Sequence, residues 1–209
     1  MIDNKEKKNC KKDNGPKKAS SINLFDNRII KLSKTIDSDE SEKIIDQLLK
    51  LDTMKSNKDI TFYINSPGGS VSDGMAIYDA MQMVKSDIKT ICIGRCSSMA
   101  AVLLSGGTKG KRFITPNSEI MIHEVSSFNI GKIGELKINY EHSNTLNERI
   151  IKLLANNTGK TIKQVRHDIE LKDRWFTAEE ALKYGLVDKI LIKNWFHSYI
   201  LLWMEMMSG

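Results

Sequence analysis

Between residues 28 and 94 the apolar residues change their period four times. RIIKL (28–32), DITFYIN (59–65) and IKTICIG (88–94) are short, rich in β-branched and aromatic residues, and read as strands. Between them lie SDESEKIIDQLLKLD (38–52) and VSDGMAIYDAMQMVK (71–85). The first repeats at helical spacing through Ile44, Ile45, Leu48 and Leu49 and carries acids in its first turn; the second carries Met75, Ile77, Met81 and Val84. A helix between successive strands returns the chain to the same edge, so the strands run parallel. This pattern predicts an α/β domain with right-handed β-α-β crossovers. In such folds ligands bind where strands end and helices begin.

The remaining chain continues the alternation less regularly. SSMAAVLLSGG (97–107) reads as a short buried helix stopped by its glycines. KRFITPN (111–117) and SEIMIHEV (118–125) read as strands around a turn, and SSFNIGKIG (126–134) as a loop. A long helix is expected from about 135 to 156, and TGKTIKQVRHDIEL (158–171) gives a turn and a further helix. DRWF, TAEEALKYG and LVDKI then read as strand, helix and strand. A chain of 209 residues, 40% hydrophobic and 28% charged, suits one globular domain.

The net charge of +6 does not by itself point to nucleic acid. Residues 1–20 hold seven lysines against three acids, which leaves +6 − 4 = +2 for the rest. That segment reads as a solvated, disordered arm, without the apolar core of a signal peptide. The C-terminal NWFHSYILLWMEMMSG (194–209) reads as an amphipathic tail, too short and interrupted to span a membrane. Cys10, Cys92 and Cys96 form no metal or disulfide pattern, and Cys92 and Cys96 read as small hydrophobes in a reducing compartment. With four histidines, none at H-E-x-x-H spacing, no bound metal is expected.

Two strand-to-helix junctions can carry chemistry. In INSPGGSVSDG the paired glycines let backbone approach a ligand and aim N–H groups at it, although an ordinary tight turn has the same composition. No G-K-[ST] follows, so this is no nucleotide-binding loop. In GRCSSMAA one serine would serve as an N-cap, and the second is left to face the crevice, in the field of the helix N-terminus. A serine nucleophile needs a base. His123, ending IMIH, is the best placed histidine; His142 and His167 lie on polar helical stretches and His197 in the C-terminal tail. A strand histidine is also a common structural residue, and several acids could orient it.

YINSPGGSVSDGMAIYDAMQ, TICIGRCSSMAAVLLSGGTKGKRF, PNSEIMIHE and AEEALKYGLVD, in this order and spacing, resemble the proteolytic subunit of the Clp protease family from about residue 27 to 190. The resemblance implies a crotonase-like β-α-β superhelix over residues 21–192, with a projecting handle at about 122–159. It implies ring oligomers, two seven-membered rings forming a tetradecamer. Apolar Leu136, Ile150, Leu153 and Leu154 of the handle would bury against an opposing subunit. It implies a serine endopeptidase acting in protein quality control. Ser98 maps to the nucleophile, His123 to the base and Asp173 to the orienting aspartate, with Asp168 as the alternative; Gly69 and Met99 map to the oxyanion N–H donors. No cofactor is implied, since ATP would be used by a partner AAA+ unfoldase acting on unfolded polypeptides. No nucleic acid or membrane partner is expected, and the location would be cytoplasmic.

The chain departs from that family in several places. Ser97 stands where alanine is usual, and Arg95 and Cys96 where small or neutral residues are. Glu124-Val125 replaces Gln-Pro after the histidine. The stretch from His167 to Asp173 is one residue longer, and Lys172 replaces an arginine that bears on contacts between rings. A lysine-rich arm replaces the segment that forms axial gate loops. Two other classes share features with the chain. One is a non-catalytic ring subunit. The other is an acyl-CoA enzyme of the crotonase type, which needs oxyanion donors but no Ser-His-Asp set.

Overall fold

The computed structural model describes residues 24–54 and 58–192. The lysine-rich arm, Cys10, His197 and the C-terminal tail lie outside them. A 3-10 turn at Phe25–Asn27 leads into β1 (Ile29–Leu32), α1 (Ser38–Met54), β2 (Ile60–Ser66), α2 (Val71–Met83), β3 (Ile88–Ser97) and α3 (Met99–Ser105). These follow the expected alternation closely. β4 (Arg112–Ile114) and β5 (Glu119–Ile122) come next, then α4 (Ile133–Thr158), α5 (Ile162–Ile169), β6 (Arg174–Phe176), α6 (Ala178–Tyr184) and β7 (Lys189–Ile190). The architecture is α/β.

The sheet is mixed. Strands β1-β2-β3-β4-β7 lie side by side in parallel. β4 and β5, expected as strands around a turn, do not pair with each other. β4 pairs with the first half of β3 and β5 with its second half, both in parallel. The reason lies in β3. Ile64 and Ser66 of β2 oppose Cys92 and Cys96, so β3 carries two extra residues there and bends. Gly94 turns the bend at φ 83°, and its N–H donates to Ser118 Oγ at 2.7 Å. β6 then adds antiparallel to β5.

Burial follows the strand period. Ile30, Leu32, Ile60, Phe62, Ile64, Ile88, Cys92 and Ile114 point into the core against the helices. α3 is buried along its whole length, which its run of Ala, Val and Leu without a charge requires. Arg112 is also fully buried. Its guanidinium donates to the carbonyls of Ser105 and Asn157 and, in a fork, to both oxygens of Asp188 (2.9 and 2.6 Å). One side chain thereby joins the ends of α3 and α4 to the start of β7.

The long helix α4 differs from expectation in what it buries. Ile150, Ile151 and Leu154 are buried in this chain's own core, where α4 packs on α3, and Leu153 packs partly against the same cluster. Ile150, Leu153 and Leu154 are therefore not the residues free to meet another subunit. Every residue from 133 to 142 is exposed. Ile133, Ile138 and Tyr140 there, with Phe128 and Ile130 in the preceding loop, are all at least 66% exposed; Leu136 is at 36%.

Candidate active site

The sheet register assembles the site. Ser97 ends β3 opposite Met121, and the next N–H, that of Ser98, donates to the Met121 carbonyl at 2.8 Å. The parallel ladder thus carries Ser98 alongside β5, and His123 is the first residue past that strand. On the other edge of β5, Ile122 pairs with Arg174 in antiparallel sense. One step beyond that pair stand His123 and Asp173. Three residues separated by 25 and 50 positions in the chain are brought together by two strand pairings.

The contacts follow. His123 Nε2 is 2.8 Å from Ser98 Oγ, a hydrogen bond. His123 Nδ1 is 3.7 Å from Asp173 Oδ1, within ion-pair range but beyond a hydrogen bond, and the Asp173 side chain is 58% exposed. Ser98 itself adopts φ 55°, ψ −126°, a backbone conformation that side chains rarely take. The sharp turn from β3 into α3 requires it, and it holds the hydroxyl towards His123. Neither serine caps α3. Ser98 occupies the N-cap position, but its side chain makes no cap hydrogen bond. Ser97 is buried, and its hydroxyl is without a hydrogen-bond partner among the described residues.

The glycine junction meets this turn from the other side. Gly68, at φ 92°, lies so close that a Cβ on it would stand 2.8 Å from Ser98 Cβ and 3.0 Å from Met99 N. Gly69 bridges Ile36 in parallel through Gly68 O and Ser70 N, at 2.8 Å each. In a parallel bridge the middle residue's own N–H points away from the partner strand, and Gly69 is one of the residues beside Ser98. Met99 opens α3, where an N–H has no carbonyl one turn back. A small cavity of about 50 Å³ touches Gly69, Ser98, Met99 and His123. Its remaining walls are largely apolar: Val71, Val102, Ile122, Val125, Ile150 and Leu154.

Asp168, the alternative orienting acid, is engaged elsewhere. It is buried, accepts from Gln164 Nε2 (3.0 Å) and Tyr184 Oη (2.8 Å), and pairs with the Arg174 guanidinium. Burial and this carboxylate push the Tyr184 hydroxyl well above its ordinary range. These residues border a separate cavity of about 420 Å³, which none of Ser98, His123 and Asp173 faces. His142 and His167 are exposed. Cys92 and Cys96 are buried free cysteines, as small hydrophobes would be. Burial, with Cys92 beside it, pushes the Cys96 thiol well up, so it stays a neutral thiol.

Two contacts near His123 had no sequence signal. Asn147 Oδ1 of α4 accepts from the Val125 N–H at 3.0 Å, and Glu124 Oε2 accepts from the Leu171 N–H at 3.3 Å. Both tie the segment after His123 to neighbouring elements far away in sequence. Just before Asp173, Leu171 turns to φ 56° and is 92% exposed. No group of three His, Cys, Asp or Glu among the described residues is placed to hold a metal ion. No helix among them is long and apolar enough to cross a membrane.

The sequence profile of the family described as Clp protease matches residues 13–194. The chain belongs to the Clp protease family. Family membership implies a peptidase, a hydrolase. Members of the Clp protease family typically form oligomeric rings that work with unfoldases.

Proposed function

We propose that the chain is a serine endopeptidase, the proteolytic subunit of an ATP-dependent Clp-type protease. The observation that carries this reading is the 2.8 Å contact of Ser98 Oγ with His123 Nε2, at a strained strand-to-helix turn. Ser98 Oγ attacks the carbonyl carbon of a peptide bond, and His123 Nε2 takes the hydroxyl proton. Asp173, across the ring at Nδ1, fixes the tautomer and stabilises the imidazolium; such contacts tighten once substrate excludes water. The N–H groups of Gly69 and Met99 receive the charge on the carbonyl oxygen, each worth roughly 3–4 kcal/mol in the transition state. His123 returns the proton to the leaving amine, and the acyl-serine forms. A water, deprotonated by His123, then releases the carboxylic acid and restores Ser98.

The exposed apolar side chains of residues 128–140 support association with other copies of the chain; the double seven-membered ring enclosing the sites follows from the family resemblance. Folded substrates would then need a separate AAA+ unfoldase, which uses the ATP, and would enter as unfolded polypeptide in the cytoplasm. The test is reaction with a fluorophosphonate followed by intact-mass analysis. A single adduct on Ser98, absent in Ser98→Ala and unaffected by Ser97→Ala, is expected. No adduct, with no peptidase turnover, would favour a non-catalytic ring subunit.

A further inference from the structure

We infer that Glu124 is a positioning residue, whose carboxylate holds the loop 170–173 and through it sets Asp173 against His123. The inference rests on the triad reading above. Asp173 is poorly held by its own side chain: it is 58% exposed, and its contact with His123 is 3.7 Å. Its place is therefore decided by the backbone on either side. On the C-terminal side, β6 is pinned, because Arg174 pairs with both Ile122 in the ladder and the buried Asp168 carboxylate. On the N-terminal side, α5 ends with Glu170 N–H donating to the Arg166 carbonyl (2.9 Å) and Lys172 N–H to that of Ile169 (3.4 Å). Between these anchors the chain swings out at Leu171, left-handed and 92% exposed.

Held by its chain neighbours alone, a left-handed, solvent-facing residue would let the arch rock, and Asp173 with it. The hydrogen bond that prevents this is Leu171 N–H to Glu124 Oε2. Glu124 follows His123 directly, so the residue that anchors the arch is bonded to the base that the arch must face. The same arch and the same pair, with Ser126, border one open groove of about 430 Å³. A change in the anchor therefore alters the His123–Asp173 separation while leaving the Ser98–His123 hydrogen bond in place.

The test is a mutant cycle on the full-length chain, read by kcat and KM with a short fluorogenic peptide. Glu124→Ala should lower kcat about tenfold, the effect of losing a hydrogen bond to a charged group, with KM within about twofold. Glu124→Gln keeps the acceptor and should recover most of that loss. Asp173→Asn should lower kcat by far more, and Glu124→Ala placed on top of it should cost nothing further. Full turnover in Glu124→Ala, equal losses in Ala and Gln variants, or the same tenfold loss in both backgrounds would each overturn the proposal while the triad reading stands. Unimpaired Asp173→Asn would overturn both. A melting curve of Glu124→Ala matching the parent excludes a folding defect as the cause of lost turnover.

Discussion

The conformation of Ser98 gives a stability prediction that its chemistry alone does not. At φ 55°, ψ −126° the Cβ is set against the backbone, and a residue held in such a region is strained by about 1–3 kcal/mol. Ser98→Ala and Ser98→Gly both remove the hydroxyl and its hydrogen bond to His123. Only the glycine also removes the Cβ. Against the relief stands the greater freedom of glycine in the unfolded chain, about 0.4–1 kcal/mol. Ser98→Gly should thus be the more stable of the two by about 1–2 kcal/mol. For a chain of this size that is roughly 2–8 °C in Tm. The assay is thermal unfolding of both variants at equal protein concentration, with peptidase turnover lost in each. If Ser98→Gly melts at or below Ser98→Ala, the turn is not strained and the argument from its backbone fails.

Ser97→Ala should keep activity and gain up to about 1–2 kcal/mol, because it deletes a buried hydroxyl without a partner among the described residues; a loss of turnover would reassign the nucleophile. Asp168→Asn should lower stability by about 1–2 kcal/mol, because the part-exposed Arg174 loses its charge partner but keeps water, while the ladder to Ile122 holds β6 in place and Ser98 still labels with fluorophosphonate. Burial alone would raise the Asp188 carboxyl, but its hydrogen bonds from Arg112 outweigh burial and hold it below the usual carboxylate range. Its contribution is therefore complete above about pH 4 and drains away as pH falls through the lowered value, so urea midpoints of Asp188→Asn should fall less steeply with acid than those of the parent. Ile138→Asp should leave the chain folded and break up any assembly seen by sedimentation, whereas Leu154→Ala should destabilise the chain itself by about 2–5 kcal/mol.

The first three strands and their helices are legible in the sequence because strand and helix periods alternate there without a break. β4 and β5 are legible as strands too, but which strand each one pairs with is not. Their pairing to two halves of one bent strand depends on the bulge at Gly94, and a lone glycine in a strand announces a bulge without its size. Of the site, Ser98 and His123 stand out as residue types at junctions. Asp168 and Asp173 are five positions apart and chemically identical, so only the packing of Tyr184 and Arg174 around the first separates them. Arg112, in a run of basic residues, gives no sign of burial because its partner Asp188 lies 76 positions away. The apolar residues of α4 look alike in sequence; only contact with α3 divides those of this core from those left bare.

That division within one helix has a consequence for how the protein breathes. Residues 133–142 of α4 are all exposed among the described residues, and a helical segment of that length is marginal in water by itself. The backbone amides there should exchange with deuterium quickly in the dilute chain, while those around Ile151 and Leu154 stay protected. If copies associate through this surface, protection should spread along the helix as concentration rises. Order in its outer turns would then report how many molecules are present, by mass action.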